Sequence, residues 1–307
     1  MKLLITGTAG FIGFHVAQRF LALGHEVVGF DALTPYYDVR LKTERHRQLA
    51  SMPGFRAVTG RLEDAALLAG TAMEAQPDII IHLAAQAGVR YSLDHPREYI
   101  AANLTGTHNL LEAARAARAR HLLFASTSSV YGGNLAQPFA ETARTDFPVS
   151  TYAATKRGAE ALTHSHAHLH GLPITCMRFF TIYGPWGRPD MALFRFVDAI
   201  ERGRPLELYG NGAMTRDFTY VGDLVAALTL LVDKVPVANQ PVAAFDSLSP
   251  VAPWRAVNVA LGRPVALLDF IAAIERATSR TASSRRESTT SKRSPRSSAS
   301  PTSTPSG

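Results

Sequence analysis

Short apolar runs alternate with amphipathic helical segments along this 307-residue chain, and this alternation constrains its fold more than any other feature. The apolar runs are continuous rather than alternating with polar residues, which is typical of parallel strands covered on both faces. They span residues 2–6, 26–30, 55–59, 78–83, 121–126 and 173–179. Segments with a helical period, such as residues 11–23 and 99–117, lie between most of them. The pattern predicts an α/β fold with a doubly wound parallel sheet.

The domain organisation follows from where this pattern ends. After residue 183 it loosens into segments punctuated by proline and glycine, so we expect residues 1–183 to form a nucleotide-binding domain. We expect residues 184–275 to form mainly a smaller substrate-binding lobe, with strands able to return to the sheet. Residues 276–307 are mostly Ser, Thr, Arg and Pro, a composition that cannot bury enough apolar surface to fold. We predict that they form a disordered tail.

Charge and cysteine content exclude several classes of partner. The tail has seven basic residues and one acid, so it carries six of the seven net positive charges and leaves the body nearly neutral. We therefore expect no nucleic-acid partner. No apolar run is long enough to span a membrane, and the N-terminus lacks the features of a signal peptide. The single cysteine, Cys176, has no partner for a disulfide or a zinc site, so we expect a soluble, cytoplasmic protein without a metal site.

A glycine-rich motif follows the first predicted strand, where residues 7–13 read GTAGFIG and lead into a helix. Glycines at this spacing allow a tight turn, a close approach to a pyrophosphate and close packing of the helix on the strand. Asp31 ends the second predicted strand, where a carboxylate accepts hydrogen bonds from the adenosine ribose and repels a 2′-phosphate. We predict a Rossmann-like domain that binds NAD in preference to NADP.

Tyr152 and Lys156 lie four residues apart in a predicted helix, so their side chains share one face. An ammonium near the phenol would favour its ionised form and lower the pKa of Tyr152 toward that of a useful general base. Upstream, residues 126–132 read STSSVYG at the carboxyl end of the fifth strand, the edge at which open α/β sheets bind ligands. The two segments predict a catalytic centre in that crevice.

Residues 7–13, 127–132 and the Tyr152–Lys156 pair resemble the extended short-chain dehydrogenase/reductase family of nucleotide-sugar epimerases, dehydratases and decarboxylases. The resemblance covers residues 1–274 and implies an NAD cofactor. It implies that Thr127, Tyr152 and Lys156 are catalytic, with Thr127 sharing a proton with the sugar 4-hydroxyl. The implied cofactor-binding residues are Gly7, Gly10, Phe11, Ile12, Gly13, Asp31, Leu62, Leu83, Ala84, Ala85, Asn103, Tyr152 and Lys156. One departure is Arg61, because relatives usually carry an aspartate there that meets the adenine.

Residues 31–42, 178–191 and 216–220 are similar to the members of this family that act on UDP-glucuronate. This narrower resemblance implies a homodimer that converts UDP-glucuronate to UDP-galacturonate through a transient 4-keto sugar. Relatives that act on uncharged hexoses usually carry an asparagine in place of Thr181, and a guanidinium such as that of Arg188 suits a C6 carboxylate. The implied substrate-binding residues are Arg90, Thr127, Ser128, Thr181, Arg188 and Arg216.

Three enzymatic alternatives and one non-enzymatic alternative are weighed against this function. A 4,6-dehydratase or a UDP-glucuronate decarboxylase usually has an acidic residue directly before the valine of its VYG motif, where this chain has Ser129. A UDP-glucose 4-epimerase would share the catalytic residues but not the positions that select a uronate. An NAD-linked regulatory protein, or an RNA-binding protein using the basic tail, would be expected to lose Tyr152 or Lys156, and this chain keeps both. Epimerisation is therefore favoured.

The resemblance ends near the C-terminus. After Ala277 the closing segment that the family carries is replaced by the Ser/Arg-rich tail, which suggests a frameshift. A damaged enzyme, a sequencing error and a genuine disordered tail all stay open. If part of the wall around the sugar nucleotide is changed in this way, we expect cofactor binding to persist while turnover falls.

Overall fold

The computed structural model of the chain describes residues 1–208 and 212–283, together with the backbone of residues 285–287. Its strands are β1 (Lys2–Thr6), β2 (Glu26–Asp31), β3 (Phe55–Thr59), β4 (Ile79–His82), β5 (His121–Thr127), β6 (Ile174–Phe179), β7 (Thr181–Tyr183), β8 (Leu206–Leu208), β9 (Thr215–Tyr220), β10 (Trp254–Val259), β11 (Pro264–Ala266) and β12 (Arg285–Glu287). Its α-helices are α1 (Phe11–Ala22), α2 (Val39–Ala50), α3 (Ala65–Ala75), α4 (Tyr91–Asp94), α5 (Pro96–Ile100), α6 (Gly106–Ala116), α7 (Thr151–His170), α8 (Ala192–Glu201), α9 (Val221–Leu231) and α10 (Leu267–Thr278).

Seven parallel strands form the central sheet, in the order β10-β6-β5-β4-β1-β2-β3. The chain builds β1, β2 and β3 toward one edge and then crosses to place β4 on the other side of β1. This reversal opens a crevice at the carboxyl ends of β1 and β4, which is where open α/β sheets bind their ligands. The predicted α/β fold with a doubly wound parallel sheet is confirmed, and the six predicted strands agree with the observed ones to within a residue at each end.

The inner strands β1, β4, β5 and β6 are buried at nearly every position, because both faces of the sheet are covered there. This burial explains their mostly apolar sequences. Leu3 and Ile5 of β1 point to a core shared with residues of α1 and α9. Leu4, between them, points to a second core shared with residues of α3, α6 and α7. Because adjacent residues of a strand face opposite sides, β1 contributes to both cores at once.

The helix predicted at residues 99–117 is interrupted. The structure has α5 up to Ile100, one turn of π-helix at Ala101–Thr105 and then α6 from Gly106. Single π-helical turns inside helices are rare and often occur at functional sites. This turn carries Asn103, whose side chain is used in the site described below.

The region expected to form mainly a substrate lobe returns a strand to the central sheet. The tenth strand pairs in parallel with β6, with Trp254 opposite Ile174 and Val259 opposite Phe179. Its sequence, WRAVNV, carries Arg255 and Asn258 among apolar residues, and the strand forms one edge of the sheet. Strands β7 and β9 pair separately and in parallel, with Thr181 opposite Phe218.

The chain forms two compact units. The first comprises Met1–Phe194 and Arg216–Pro264 and contains the seven-stranded sheet; the second comprises the described parts of Arg195–Thr215 and of the chain after Pro264. Within the second unit, β8 and β12 pair in parallel. The predicted boundaries at residues 183 and 275 stay predictions.

The predicted disordered tail, residues 276–307, lies largely outside the described residues. Its first residues belong to α10, which ends at Thr278. No helix in the described part of the chain is long and apolar enough to cross a membrane.

Candidate active site

The glycine-rich turn is built so that side chains would not fit. Gly7 has a φ of +80°, and a Cβ placed on it would lie 2.8 Å from the amide nitrogen of Ala84. A Cβ on Gly13 would lie 2.0 Å from the carbonyl oxygen of Gly7. The amide of Gly10 donates to the same oxygen at 2.9 Å, and α1 begins at the next residue. The turn therefore brings bare backbone and a helix N-terminus to the crevice, as the motif predicts for a pyrophosphate.

Asp31, the last residue of β2, lines the next part of this crevice. Its Oδ2 accepts a hydrogen bond from the amide of Ala9 at 2.9 Å, and its Oδ1 accepts one from the amide of Leu33 at 2.8 Å. A carboxylate oxygen can accept more than one hydrogen bond, so both oxygens can still accept bonds from ribose hydroxyls. The two amides fix the carboxylate in the position that the sequence predicted.

Arg61 and Leu62 lie at the crevice beyond Asp31. The backbone carbonyl of Leu62 accepts a hydrogen bond from Nδ2 of Asn109 at 3.0 Å, which anchors this loop to α6. Arg61 extends to Glu63, with Nη2 donating to Oε1 at 2.9 Å. The arginine that replaces the expected aspartate is thus paired with a neighbouring carboxylate.

The segment after β4, which contains Ala84 and Gln86, is fixed by hydrogen bonds from side chains on both sides of it. Thr6 accepts a hydrogen bond from the amide of Ala84 at its Oγ1, at 3.1 Å. On the other side, Asn103 forms two hydrogen bonds with the backbone of Gln86: Oδ1 accepts from the amide at 2.8 Å and Nδ2 donates to the carbonyl at 3.0 Å. Nδ2 also donates to Oγ1 of Thr155 at 3.2 Å. Asn103 therefore positions the β4 loop against α7 rather than contacting the crevice itself.

The crevice continues as a cavity of about 600 Å³ within the first compact unit. A cavity of this volume lies within the usual range for a small-molecule site. Of the predicted site residues, it brings together Gly7, Gly10, Phe11, Ile12, Gly13, Asp31, Leu62, Leu83, Ala84, Ala85, Thr127, Tyr152, Lys156 and Arg188. The glycine cradle, the fixed Asp31 carboxylate and the size of the cavity fit a dinucleotide such as NAD.

Tyr152 lies in the first turn of α7, which begins at Thr151 after Ser150 caps it by accepting a hydrogen bond from the amide of Ala153. Burial raises the pKa of the Tyr152 phenol, while a hydrogen bond with Thr127 and the positive charge of Arg188 lower it. Burial outweighs the other two, so the prediction that this pKa lies below its usual value is wrong for the protein alone. The groups that oppose burial are Thr127 and Arg188 rather than Lys156.

Lys156 lies one turn further along α7 and is 3% exposed. Its Nζ is 4.3 Å from the centre of the Phe124 ring. Burial lowers the pKa of this ammonium to about 8, although the nearby Cys176 and Glu160 act in the opposite direction. Lys156 is thus a cation whose charge is costly in this environment and is easily lost above neutral pH.

A buried ion pair supports this part of α7. Glu160, one turn after Lys156, is fully buried, and its Oε2 is 2.9 Å from Nη2 of Arg178 on β6. Its Oε1 accepts from Ser126 at 2.6 Å and from Nε of Arg178 at 3.0 Å. Because Ser126 directly precedes Thr127, this network ties the hydroxyl-rich end of β5 to the helix that carries Tyr152.

Arg188 also lines the cavity, and its guanidinium is already paired with a carboxylate. Its Nη2 is 2.6 Å from Oδ2 of Asp190, and its Nε is 3.0 Å from Oδ1. The guanidinium lies over the Tyr36 ring, 5.3 Å from its centre, and the hydroxyl of Tyr36 donates to Oδ2 of Asp190 at 3.2 Å. The carboxylate of Asp190 and the ring of Tyr36 therefore fix the position of the Arg188 guanidinium. Neither residue was predicted from the sequence to have this function.

The remaining predicted site residues do not line the cavity. Arg90 and Arg216 are exposed, Ser128 and Thr181 are partly buried, and Asn103 acts through Gln86. The residue after Arg216, Asp217, accepts hydrogen bonds from the amides of Leu261, Gly262 and Arg263. Substrate contacts by Arg90, Ser128, Thr181 and Arg216 stay predictions.

Two further cavity residues, Lys42 and Tyr36, lie in the segment of residues 31–42, and their functions were not predicted from the sequence. Lys42 donates from Nζ to the carbonyl of Thr34 at 2.8 Å and to its hydroxyl at 2.9 Å, and burial lowers its pKa. Tyr36 holds Arg188, and burial raises the pKa of its phenol to about 12. Tyr36 and Lys42 both belong to the segment of residues 31–42, and their proximity to Arg188 depends on long-range folding that spacing alone does not reveal.

Comparisons with known proteins agree with this geometry. The model of the NAD dependent epimerase/dehydratase family matches residues 3–242. A probable UDP-glucuronate 4-epimerase of Rhizobium meliloti is 56% identical over 285 residues, which cover 92% of this chain and 84% of that protein.

Solved structures of nucleotide-sugar epimerases and dehydratases have the same fold as this chain. The UDP-glucuronic acid 4-epimerase of Bacillus cereus in complex with UDP-glucuronic acid and NAD superposes with a TM-score of 0.82 and 30% identity, covering 94% of this chain and 86% of that one. A double mutant of DesIV, a dTDP-glucose 4,6-dehydratase of Streptomyces venezuelae with NAD bound, has a TM-score of 0.80 and 26% identity, covering 94% and 84%. Both enzymes share the fold, and the epimerase has the higher sequence identity.

Proposed function

Because the chain belongs to the NAD dependent epimerase/dehydratase family, we propose that it interconverts UDP-glucuronate and UDP-galacturonate by inverting the configuration at C4 of the sugar. The relatives that act on UDP-glucuronate support the substrate, and the family supports the cofactor. When bound, NAD would accept a hydride from C4 of the sugar and return it to the opposite face.

One observation carries this proposal. The charge of Arg188 and the hydroxyl of Thr127 both act on the phenol of Tyr152, so a base and a cation face the same cavity. The base suits the 4-hydroxyl of a hexuronate, and the cation suits the carboxylate at C6 of the same ring. An uncharged hexose would use the first of these groups but not the second.

In the proposed mechanism, Tyr152 takes the proton of the 4-hydroxyl as C4 becomes a ketone, and it returns that proton when the alcohol re-forms. The Thr127 hydroxyl acts on the same phenol and lowers its pKa, so it can share the proton with the sugar oxygen. The Thr127 hydroxyl also accepts from the amide of Ser129 at 3.2 Å, which fixes its orientation. Lys156 lines the same cavity, and its side chain stays positively charged at pH values below its pKa of about 8.

Arg188 is assigned two tasks. Asp190 uses its Nε and Nη2, and we assign Nη1 to the C6 carboxylate of the substrate. The 4-keto sugar is a β-keto acid, so it loses carbon dioxide when the bond from C5 to C6 aligns with the carbonyl π system. A carboxylate held by Arg188 is kept out of that alignment, which favours return to the alcohol over decarboxylation.

Position 129 separates this proposal from the dehydratase and decarboxylase alternatives. Ser129 lies beside Thr127, whose hydroxyl is 3.2 Å from Oγ of Ser129. Members of the two alternative groups usually carry a carboxylate at this position, where it can move a proton at C5. A serine hydroxyl is far too weak an acid and base for that step, so the geometry favours epimerisation.

We further propose that the protein acts as a homodimer in the cytoplasm. A single buried cysteine fits a reducing compartment. Light scattering during gel filtration should give twice the mass of the chain, and the mass of one chain would contradict the dimer.

The proposed activity is tested by incubating the purified protein with UDP-glucuronate and separating the products by anion-exchange chromatography. We expect UDP-galacturonate to accumulate to an equilibrium ratio that is the same from either sugar. A UDP-pentose as the main product would instead support decarboxylation, and conversion of UDP-glucose but not UDP-glucuronate would support a hexose epimerase.

A further inference from the structure

We infer a metal site between helices α6 and α7, away from the cavity, in which Glu112, His166 and His170 bind a divalent transition ion such as Zn²⁺. The ligand atoms of these three side chains lie within 4.8 Å of one another. This cluster contains no cysteine, which is why the single-cysteine argument from the sequence did not find it.

The helical spacing brings the ligands together. His166 and His170 are four residues apart, so both point from one face of α7, and their rings are 4.5 Å apart. Glu112 faces them from α6, with Oε1 3.7 Å from Nε2 of His166. This separation is too long for a hydrogen bond, yet a metal ion between the two atoms would contact both after shifts of about 1 Å.

His166 supplies an independent reason to expect a ligand. The residue is 7% exposed, and its Nε2 has no hydrogen-bond partner among the residues that the structure describes. Buried polar atoms are nearly always satisfied, so an orphaned imidazole nitrogen next to a carboxylate and a second imidazole indicates a missing partner. A metal ion would accept its lone pair.

The chemistry of the ligands selects the ion. Two imidazoles and one carboxylate are ligands that Zn²⁺ binds with an open fourth position, whereas Ca²⁺ and Mg²⁺ prefer oxygen alone. Arg115 occupies the other carboxylate oxygen of Glu112, with Nη2 2.6 Å from Oε2, and so directs Oε1 toward the histidines. His108, one turn before Glu112, interacts electrostatically with both Glu112 and His166. Water or His108 can occupy the fourth position.

The same helix provides a matched control. His164 and His168 also lie four residues apart on α7, but they face away from Glu112. Nε2 of His164 is 2.8 Å from Oγ of Ser249, and Nδ1 of His168 is 2.7 Å from the carbonyl of Val251. Both nitrogens are already satisfied by these neighbours. If any two histidines on this helix could bind the metal ion, both pairs would contribute to its affinity. In the proposed site only His166 and His170 do.

The test is isothermal titration of the full, chelator-treated chain with Zn²⁺. We expect one ion per chain and a loss of affinity of about tenfold or more in His170→Asn, an exposed position where the substitution is tolerated, and in Glu112→Gln. The double variant His164→Asn with His168→Asn should bind as the wild type does. One equivalent of Zn²⁺ should also raise the Tm of the wild type but not that of His170→Asn.

Three results would overturn the proposal: a wild type that does not bind Zn²⁺, a His170→Asn variant that binds it unchanged, or a control variant that loses as much affinity as His170→Asn. The test uses His170→Asn and Glu112→Gln instead of His166→Ala, so it does not depend on a substitution in the core. Activity toward UDP-glucuronate is not needed to read any of these outcomes.

Discussion

Asp190 holds the guanidinium of Arg188 through two hydrogen bonds, Nη2 to Oδ2 at 2.6 Å and Nε to Oδ1 at 3.0 Å. The cation proposed to select a uronate is therefore neutralised in part before any substrate arrives. A substrate carboxylate must share Arg188 with Asp190, and the specificity of the site depends on both residues.

The first prediction concerns this pair. Arg188→Ala removes the donor and leaves Asp190 to repel the C6 carboxylate, so the kcat/KM for UDP-glucuronate should fall roughly thirty- to a thousandfold. The kcat/KM for UDP-glucose should change little. The variant should also release more carbon dioxide per turnover, measured with substrate labelled at C6. Changing Asp190 to Ala in the same protein should recover part of the loss.

Arg40 offers a matched control, because it pairs with Asp38 two residues away but its side chain is 90% exposed. Arg40→Ala should leave both substrates unaffected. If Arg188→Ala also handled both sugars as the wild type does, Arg188 would have no part in selecting the uronate.

The second prediction concerns cofactor choice. Asp31 presents a fixed carboxylate to the crevice, so the protein should bind NAD more tightly than NADP, whose 2′-phosphate is repelled. Asp31→Asn should reduce this preference by about tenfold or more, measured by fluorescence titration of both cofactors. Asp38→Asn, an exposed acid in the following loop, is the control. Equal affinities of the wild type for NAD and NADP would refute the assignment.

The third prediction separates the base from its neighbour. Tyr152→Phe should lower kcat by about two to four orders of magnitude and leave the affinity for UDP-glucuronate nearly unchanged. Thr127→Val removes a hydrogen bond that lowers the pKa of Tyr152, so its pH–rate profile should shift to higher pH. Thr127→Ser keeps the hydroxyl and should restore the profile. Turnover that persists in Tyr152→Phe would place the base elsewhere.

The fourth prediction concerns stability and Lys156. Its pKa is about 8 in the folded chain against 10.5 ordinarily, so between these values the unfolded chain binds the extra proton. Stability must therefore rise with pH across this window. The free energy of unfolding of Lys156→Met, measured in urea, should lack that rise, which is at most about 3 kcal/mol. Parallel pH dependences for the two proteins would show that the lysine is not desolvated.

Much of this architecture could be predicted from the sequence, because local signals were strong. Continuous apolar runs placed six strands, and the glycines at 7, 10 and 13 placed the cofactor turn. What could not be predicted depended on contacts between distant segments. The pairing of Tyr36 with Arg188 joins residues 152 positions apart. The π-helical turn contains Asn103, which bonds to Gln86 across 17 positions.

The pKa of Tyr152 shows the same limit. The spacing of Tyr152 and Lys156 on one helix indicated that the lysine would lower the pKa of the phenol. Burial of both groups instead raises the pKa of Tyr152 and lowers that of Lys156. Burial is a property of the folded chain, and spacing within one helix does not report it.

The most direct test of the central claim uses UDP-glucuronate that carries deuterium at C4, followed by proton NMR. The account predicts UDP-galacturonate that retains deuterium at C4, because the hydride that leaves this carbon returns to it. A product with protium from water at C4, a UDP-pentose in place of UDP-galacturonate, or unchanged substrate would contradict it.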